Sequence, residues 1–399
     1  MTSSSHSAAA SALGYWYQTQ WALYDLLRRG HAMPDSSLTL ELLDDVAWQQ
    51  HGQPQELLQL KLISAQVGGL GNMSVDLWKT ILVWLEGPAP SDPLGPQLTL
   101  VSTGLAAAGS AAAMLRADPA ERNEPAAADA LAVAARASTA QETAKARDAL
   151  LSLDPSELLT FVGKIIVADR AQPIQDNDEL VRQELMWVTP PGQEDLFLGL
   201  VWRWWSRVAL DLLQRRRSSV SVAEARNEIA DIRNTFGDDN LPTLVELADI
   251  VEDDLLELHG DRPFVHQMRW VDTGSVHLRK AVIDYYRAVT QTTEWLDRDL
   301  IGRHELQRFE DRLRDEWERA FADMLEDLPA NADEVQKKQL GKTLLRQLRD
   351  STAVMIRSRY SESFYARGKR HELADSGHIG WHPEFEQMLG KLLSASGAE

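Results

Sequence analysis

The first part of the chain alternates between two hydrophobic periods, one typical of helices and the other of strands. Residues 12–29 place apolar side chains at mostly helical spacing, and Gly30 predicts the end of that helix. Two runs suited to strands follow, LTLELLDDVAWQ (38–49) and ELLQLKLI (56–63). They flank HGQP, a turn signal, so the pattern predicts an antiparallel hairpin of two strands.

A helix, a strand and an Ala-rich helix are predicted next. Residues 74–86 are amphipathic at helical spacing, with Ser74 as the N-cap. QLTLVS (97–102) is suited to a strand, and LAAAGSAAAML (105–115) to a helix rather than a membrane span, because Gly, Ser and Thr interrupt it. The predicted order is therefore α-β-β-α-β-α, an α/β layer with a small mixed sheet.

From about residue 120 onward nearly every pattern predicts helix. The Ala-rich stretch 126–153 suits either one long helix or a hairpin of two. We expect an N-terminal α/β domain over 1–165, a helical connecting region over 166–250 and an all-α C-terminal domain over 251–399.

Composition narrows the class of protein. The chain has no cysteine, which excludes disulfides and thiolate chemistry and fits a reducing cytoplasm. No Lys or Arg precedes Arg28, so no secretory signal is expected. The net charge of −19 argues against a free-standing nucleic-acid binder. Charge is uneven: residues 341–371 hold eight Lys or Arg, suited to a solvated helix face or to contact with DNA or a partner.

The predicted hairpin contains a group of polar side chains that is suited to catalysis. Side chains alternate along a strand, so Gln59 and Lys61 share one face, Glu41 and Asp45 share another, and Asp44 points the opposite way. A hairpin can bring the two pairs together. Carboxylate and amide oxygens beside an ammonium suit metal-dependent phosphodiester hydrolysis. A solvated hairpin would show the same residues, so spacing alone leaves both interpretations open.

Five blocks of sequence between residues 14 and 115, taken in order, resemble those of a known family. They resemble the double-stranded DNA endonuclease domain of CD-NTase-associated effectors, which belong to the PD-(D/E)xK nuclease superfamily and act in bacterial anti-phage defence. Residues 199–213 and 228–242 resemble the helical portion that follows this domain in ABC-three-component and Lamassu-type defence proteins. Residues 281–296, 305–321 and 380–385 resemble the C-terminal domain of the same group. The five blocks are GYWYQTQWALYDLLRR, LTLELLDDVAW, ELLQLKL, SVDLWKTILVWLE and LTLVSTGLAAAGSAAAML.

The resemblance implies a restriction-endonuclease-like fold and a set of site residues. Asp45 matches the metal-binding aspartate, Gln59 stands at the (D/E) position as in Q-x-K variants, and Lys61 matches the catalytic lysine. Glu41 flanks the site and is the candidate third metal ligand. The opening helix often supplies an acidic residue in this superfamily, whereas the nearest candidate here is Gln18, so a second carboxylate ligand is in question.

Cofactor and partners are also implied by the resemblance. The expected cofactor is Mg²⁺, or Mn²⁺ in its place, and the expected substrate is double-stranded DNA. Family members work with an SMC-like ABC ATPase and a further small subunit, and we expect a homo-oligomer when active and no membrane association. The competing interpretation is an assembly subunit that keeps the nuclease fold as an interaction module, because glutamine stands at positions 18 and 59.

Overall fold

The computed structural model describes residues 4–63, 69–87, 89–173 and 176–396, and these divide into two compact units with the division after Arg233. The first unit is α/β and the second is helical, as the sequence predicts. The boundaries of the three predicted domains stay predictions. No helix in the described ranges is long and apolar enough to cross a membrane.

The described part of the first unit contains a single six-stranded mixed sheet flanked by helices. The strand order is β5-β4-β3-β2-β1-β6, with β3, β4 and β5 parallel and the remaining pairs antiparallel. The strands are β1 (Ser36–Leu40), β2 (Val46–Gln50), β3 (Gln53–Lys61), β4 (Gln97–Ser102), β5 (Ile165–Ala168) and β6 (Val220–Ser221).

The helices of this unit begin with the two that the sequence predicts most clearly. The opening helix ends at Gly30, and the Ser74 side chain accepts a hydrogen bond from the Leu77 amide at the start of the second helix. The helices are α1 (Ser4–Gly30), α2 (Val75–Glu86), α3 (Ala111–Met114), α4 (Glu124–Ala137), α5 (Ala144–Leu151), α6 (Pro155–Gly163), α7 (Asn177–Leu185), α8 (Glu194–Leu213) and α9 (Val222–Asn234).

Three sequence predictions on this unit need correction. The predicted strand over 38–49 is two antiparallel strands joined by a bend at 41–45. The predicted Ala-rich helix over 105–115 shrinks to four residues, because the chain is irregular up to Gly109, whose φ is +74°. β5 and β6 form in stretches for which the sequence pattern predicts helix. The stretch 126–153 folds as two helices, which confirms the hairpin alternative.

A buried core joins the sheet to the helices around it. Trp78 and Ile81 of α2, Leu100 of β4, Phe161 of α6 and Ile165 of β5 belong to one buried cluster. Because α2 connects the parallel strands β3 and β4, its packing fixes where the end of β3 lies. The end of β3 carries the predicted site.

The second unit is built around two long helices. Its core includes the fully buried Trp295 and Phe309. Gly368 allows close packing, since a Cβ there would lie 2.0 Å from the carbonyl oxygen of Asp284 on the neighbouring helix. The helices are α10 (Glu252–His259), α11 (Pro263–Trp270), α12 (Ser275–Asp297), α13 (Arg303–Glu326), α14 (Glu334–Asp350), α15 (Ser363–Asp375) and α16 (Phe385–Ser396).

Much of the positive charge in the basic segment 341–371 is used inside the second unit. Lys369 pairs with Glu310, and Arg370 with Glu316, and both cationic side chains are only 1% exposed. Arg357 also makes an ion pair within the unit. A buried cation needs such a partner because it has lost its hydration. The charges of these three cations are therefore paired within the second unit.

Candidate active site

The chain reverses between β1 and β2, where the sequence pattern predicts one unbroken strand. Glu41 has a φ of +51°, in the left-handed region, and its amide donates to the Asp45 carbonyl over 3.1 Å. Residues 41–45 are therefore not extended, and strand alternation does not apply to them. The prediction that Asp44 points away from Asp45 and Glu41 is wrong. Both aspartates turn toward β3.

Asp45 is held against the end of β3 by hydrogen bonds to both carboxylate oxygens. The Leu60 backbone amide donates to Asp45 Oδ2 over 2.7 Å. The Gln59 side chain donates from Nε2 to Asp45 Oδ1 over 3.1 Å. The Gln18 side chain, on α1, also donates to this carboxylate. Three elements, α1, the 41–45 bend and β3, thus fix the position of one buried carboxylate.

Asp44 has a separate set of donors and is nearly as buried. Gln59 Nε2 donates to Asp44 Oδ1, and the Trp84 indole donates to Asp44 Oδ2 over 2.9 Å. The Asp45 amide donates to Oδ1 over 3.0 Å. Burial raises the pKa of Asp44 to about 6, although these hydrogen bonds act in the opposite direction. Asp44 is therefore a carboxyl group that changes charge near neutral pH.

Gln59 lies at the centre of the site. Its Nε2 bridges Asp44 and Asp45, and its Oε1 accepts from Lys61 Nζ over 3.0 Å. An amide has two donor hydrogens, which suffice for one bond to each carboxylate. The side chains of Gln59 and Lys61 meet on one face of β3, as strand alternation predicts. The residues Asp45, Gln59 and Lys61 are thus brought together.

Glu41 lies at the edge of the same group. Its charge interacts with those of Asp45, Asp44 and Lys61, and burial followed by the two aspartates raises its pKa. The pKa of Asp45 is also raised, mainly by burial. Three carboxyl groups with raised pKa values in one place mean that ionising all of them is unfavourable without additional positive charge.

The site contains carboxylate and amide oxygen atoms, which are of the types that a hard cation such as Mg²⁺ accepts. Within the described ranges no three His, Cys, Asp or Glu side chains are grouped to hold a metal ion, so the site is not a cage of carboxylates. Gln18 Oε1, however, is buried and has no hydrogen-bond partner among the described residues. Carboxylate and amide oxygens are ligands that Mg²⁺ accepts. Asp45, Gln59 and Glu41 are the residues that would hold it.

Two contributors to the site were not predicted from the sequence. Trp84 appeared only as a core residue of α2, yet its indole N–H binds Asp44. A buried tryptophan N–H usually finds an acceptor, which is the signal that could have suggested it. Arg215 donates to the Glu41 carbonyl and lowers the pKa of the Glu41 carboxyl. It lies 174 residues away in the chain, so no local pattern could have linked the two.

One comparison with known proteins identifies a part of the chain. Residues 264–389 match the family model of C-terminal domain 7 of the ABC-three component (ABC-3C) systems. In the comparisons with curated proteins and with solved structures, nothing matches. The predicted likeness of the C-terminal stretches to ABC-three-component proteins is confirmed, whereas the likeness of the N-terminal blocks to a nuclease domain stays a prediction. Residues 264–389, which lie within the second unit, are therefore similar to a C-terminal domain of the ABC-three component systems.

Proposed function

We propose that this chain is the DNA-cleaving effector subunit of an ABC-three-component defence complex, acting as a Mg²⁺-dependent endonuclease of the PD-(D/E)xK type. The observation that carries the proposal is the meeting of Asp45, Gln59 and Lys61 at the end of β3, in a chain with an ABC-three-component C-terminal domain. The same residues are those that the resemblance assigns to metal binding and catalysis.

Each residue has a role that its surroundings support. Asp45 and Gln59, with Glu41 beside them, offer oxygen ligands, and Mg²⁺ bound there would supply Lewis-acid activation of the phosphate and of water. Lys61 carries a positive charge that stabilises negative charge developing on the phosphate. The Leu60 amide keeps the Asp45 carboxylate in place through its 2.7 Å hydrogen bond.

The orientation of the Gln59 amide suggests a resting state. Its nitrogen, rather than its oxygen, faces Asp45. For Gln59 and Asp45 to hold one cation, the amide must turn so that Oε1 replaces Nε2 on that side. Lys61 would then lose its acceptor and become available to a phosphate. A low basal activity and activation by assembly follow from this rearrangement.

The charge of the chain supports control by partners. A chain of net charge −19 repels DNA at long range, so a DNA channel requires positive charge from elsewhere. We propose that an SMC-like ABC ATPase and a further small subunit supply it, in an assembly that contains more than one copy of this chain. The substrate is double-stranded DNA, and the site of action is the cytoplasm.

The orientation of the Gln59 side-chain amide also favours a second function. Gln59 Nε2 satisfies both aspartates without any cation, which is the arrangement expected of a nuclease fold kept as an interaction module. In that case the first unit would bind a partner and cut nothing. Metal-dependent cleavage distinguishes the two functions.

The test is cleavage of supercoiled plasmid with Mg²⁺ by the chain alone and by the complex with its partner subunits. Lys61→Met removes the ammonium from the site. Lys79→Met is the matched control, because Lys79 is an exposed lysine of α2 that pairs with Glu142. We expect Lys61→Met to slow cleavage by at least about 100-fold and Lys79→Met to leave it unchanged. An activated complex that never cuts, or equal rates in both variants, would favour the interaction module.

A further inference from the structure

The second unit contains a cavity of about 470 Å³ that the proposed function does not use. Its volume lies within the range of about 300–1,000 Å³ that is usual for small-molecule sites. α12 lines one side of it, the last turn of α14 another, and α15 a third. Because the cavity lies wholly within this unit, a ligand bound there would make no use of the nuclease site.

The cavity is positively charged in a strongly acidic protein. Lys280, Arg287, Arg349 and Arg367 line it against two carboxylates, those of Asp284 and Asp350, which leaves a surplus of two positive charges. Positions 277, 280, 284 and 287 are three or four residues apart, so α12 presents them as one stripe. The arrangement concentrates positive potential in a concave space, which attracts anions.

The arginines are fixed before any ligand arrives. Arg287 donates from Nε and Nη2 to the Val245 carbonyl, and its guanidinium stacks on the Phe364 ring with 3.6 Å between Cζ and the ring centroid. Arg367 donates to Asp284 from Nε over 2.6 Å. Groups held in this way lose little conformational entropy when a ligand binds.

Some N–H groups of the cationic side chains in the cavity remain available to donate hydrogen bonds to a ligand. Arg287 Nη1 makes no hydrogen bond to the described residues. Lys280 is exposed and has no ion-pair partner among them. Arg349 donates to Asp350 from Nε over 2.8 Å and from Nη2 over 2.9 Å, and its Nη1 lies 3.4 Å from His277 Nδ1, so only its outer N–H bonds point away from these partners. The cavity thus offers an ammonium and guanidinium edges that are suited to the oxygens of a phosphate.

An apolar wall borders the charged stripe. It is formed by Ala281 and Ile283, which are on α12 like the stripe, together with Leu247. A free inorganic anion would leave such a wall in contact with water, whereas a ligand with a flat apolar part would cover it. The combination of the two walls suits a molecule with a phosphate at one end and a ring at the other.

We infer that this cavity of the C-terminal unit binds a small phosphorylated ligand of mononucleotide size. The phosphate is bound by Lys280, Arg287 and Arg349, and the ring lies against the wall of Leu247, Ala281 and Ile283. We take the ligand to be a free small molecule, because the volume of about 470 Å³ matches that of a small-molecule site.

The experiment is isothermal titration of the full-length chain with the four ribonucleoside monophosphates, with inorganic phosphate, with the unphosphorylated nucleosides and with a short DNA duplex. Lys280→Glu reverses an exposed charge of the cavity. Lys391→Glu is the control, because it makes the same charge change on an exposed lysine of α16 outside the cavity. Circular dichroism of both variants checks the fold.

We expect saturable binding of at least one monophosphate, no binding of its nucleoside and weaker binding of inorganic phosphate. Lys280→Glu should weaken the monophosphate at least about tenfold, and Lys391→Glu should not. The inference is overturned if no monophosphate binds, if both variants weaken it equally, or if inorganic phosphate binds as tightly as the monophosphate. Binding of only the duplex, lost in Lys280→Glu, would also overturn it.

Discussion

Replacing Trp84 by phenylalanine tests whether Asp44 is an ionised carboxylate held by the indole of α2. The substitution removes the 2.9 Å hydrogen bond to Asp44 Oδ2 and keeps an aromatic ring. Trp78 provides a matched control on the same helix. Its side chain is equally buried, and its indole donates over 2.9 Å to a neutral acceptor, the Asn72 carbonyl. The two variants lose similar volume and differ in the charge of the acceptor.

The expected difference follows from the acceptor. A hydrogen bond to a charged group contributes about 1.5–3 kcal/mol and one between neutral groups about 0.5–1.5 kcal/mol. At pH 8, above the pKa of about 6, Asp44 is ionised. Trp84→Phe should therefore cost about 1–2 kcal/mol more than Trp78→Phe. At pH 5 Asp44 is protonated, both acceptors are neutral, and the difference should disappear.

The unmodified protein should show the matching pH dependence. Because burial raises the pKa of Asp44 from 3.8 to about 6, the folded state binds more protons than the unfolded state between these values. Its contribution to stability is therefore greatest below the unfolded pKa and falls as the pH rises through about 6. For Asp44 alone the fall amounts to about 3 kcal/mol.

Amide hydrogen exchange of peptides from β3 measures the local opening free energy at both pH values, after correction for intrinsic exchange rates. EDTA keeps divalent cations from changing the charge of the site. Equal losses of protection in Trp84→Phe and Trp78→Phe at pH 8, or a difference that persists at pH 5, would show that Asp44 is not an ionised acceptor.

Three further substitutions test other parts of the structure. Arg29→Met should lower the free energy of unfolding of the first unit by about 1–3 kcal/mol, since it breaks the partly buried ion pair between Arg29 of α1 and Glu56 of β3. Arg28→Met, whose side chain is 47% exposed, should cost less than about 1 kcal/mol in the same urea titration. Gln59→Glu adds a fourth carboxyl group to the site, about 3.1 Å from that of Asp45, which is a repulsion of about 5 kcal/mol at an effective dielectric constant of 20 when both are ionised. Its melting temperature should fall in EDTA and rise with Mg²⁺ by more than that of the wild type, and an equal rise would contradict the proposed metal site. Gly368→Ala forces a methyl group against a neighbouring backbone and should cost at least about 1–3 kcal/mol, whereas Gly390→Ala, with nothing within 4 Å, should not destabilise the second unit in calorimetry.

The fold could be predicted from the sequence where a periodic hydrophobic pattern extends over many residues. α1 and α2 have complete helical stripes with a cap or a terminating glycine, and both form as predicted. β5 was missed because its four residues are too few to show a period. The bend at 41–45 was missed because it contains no Gly or Pro that would mark a turn. The positive φ at Glu41 is set by tertiary contacts that the local pattern does not contain.

In the candidate site too, residues on a regular strand could be predicted and residues in loops could not. Gln59 and Lys61 lie on a regular strand, so alternation placed them on one face, and their side chains do meet. Asp44 was assigned to the wrong face because it lies in the bend. Its bond to Trp84 joins residues 40 positions apart, and only the packing of α2 on the sheet brings them together. Strand positions were thus predictable, whereas loop and cross-element contacts were not.

The most direct test of the central claim is the initial rate at which the assembled complex nicks supercoiled plasmid in Mg²⁺, compared between wild type and Asp45→Asn. Asparagine keeps the shape of the side chain and an acceptor for the Leu60 amide, and it removes the charge that would hold the cation. The proposed nuclease predicts a loss of at least about 100-fold. An Asp45→Asn complex that nicks as fast as the wild type would contradict it.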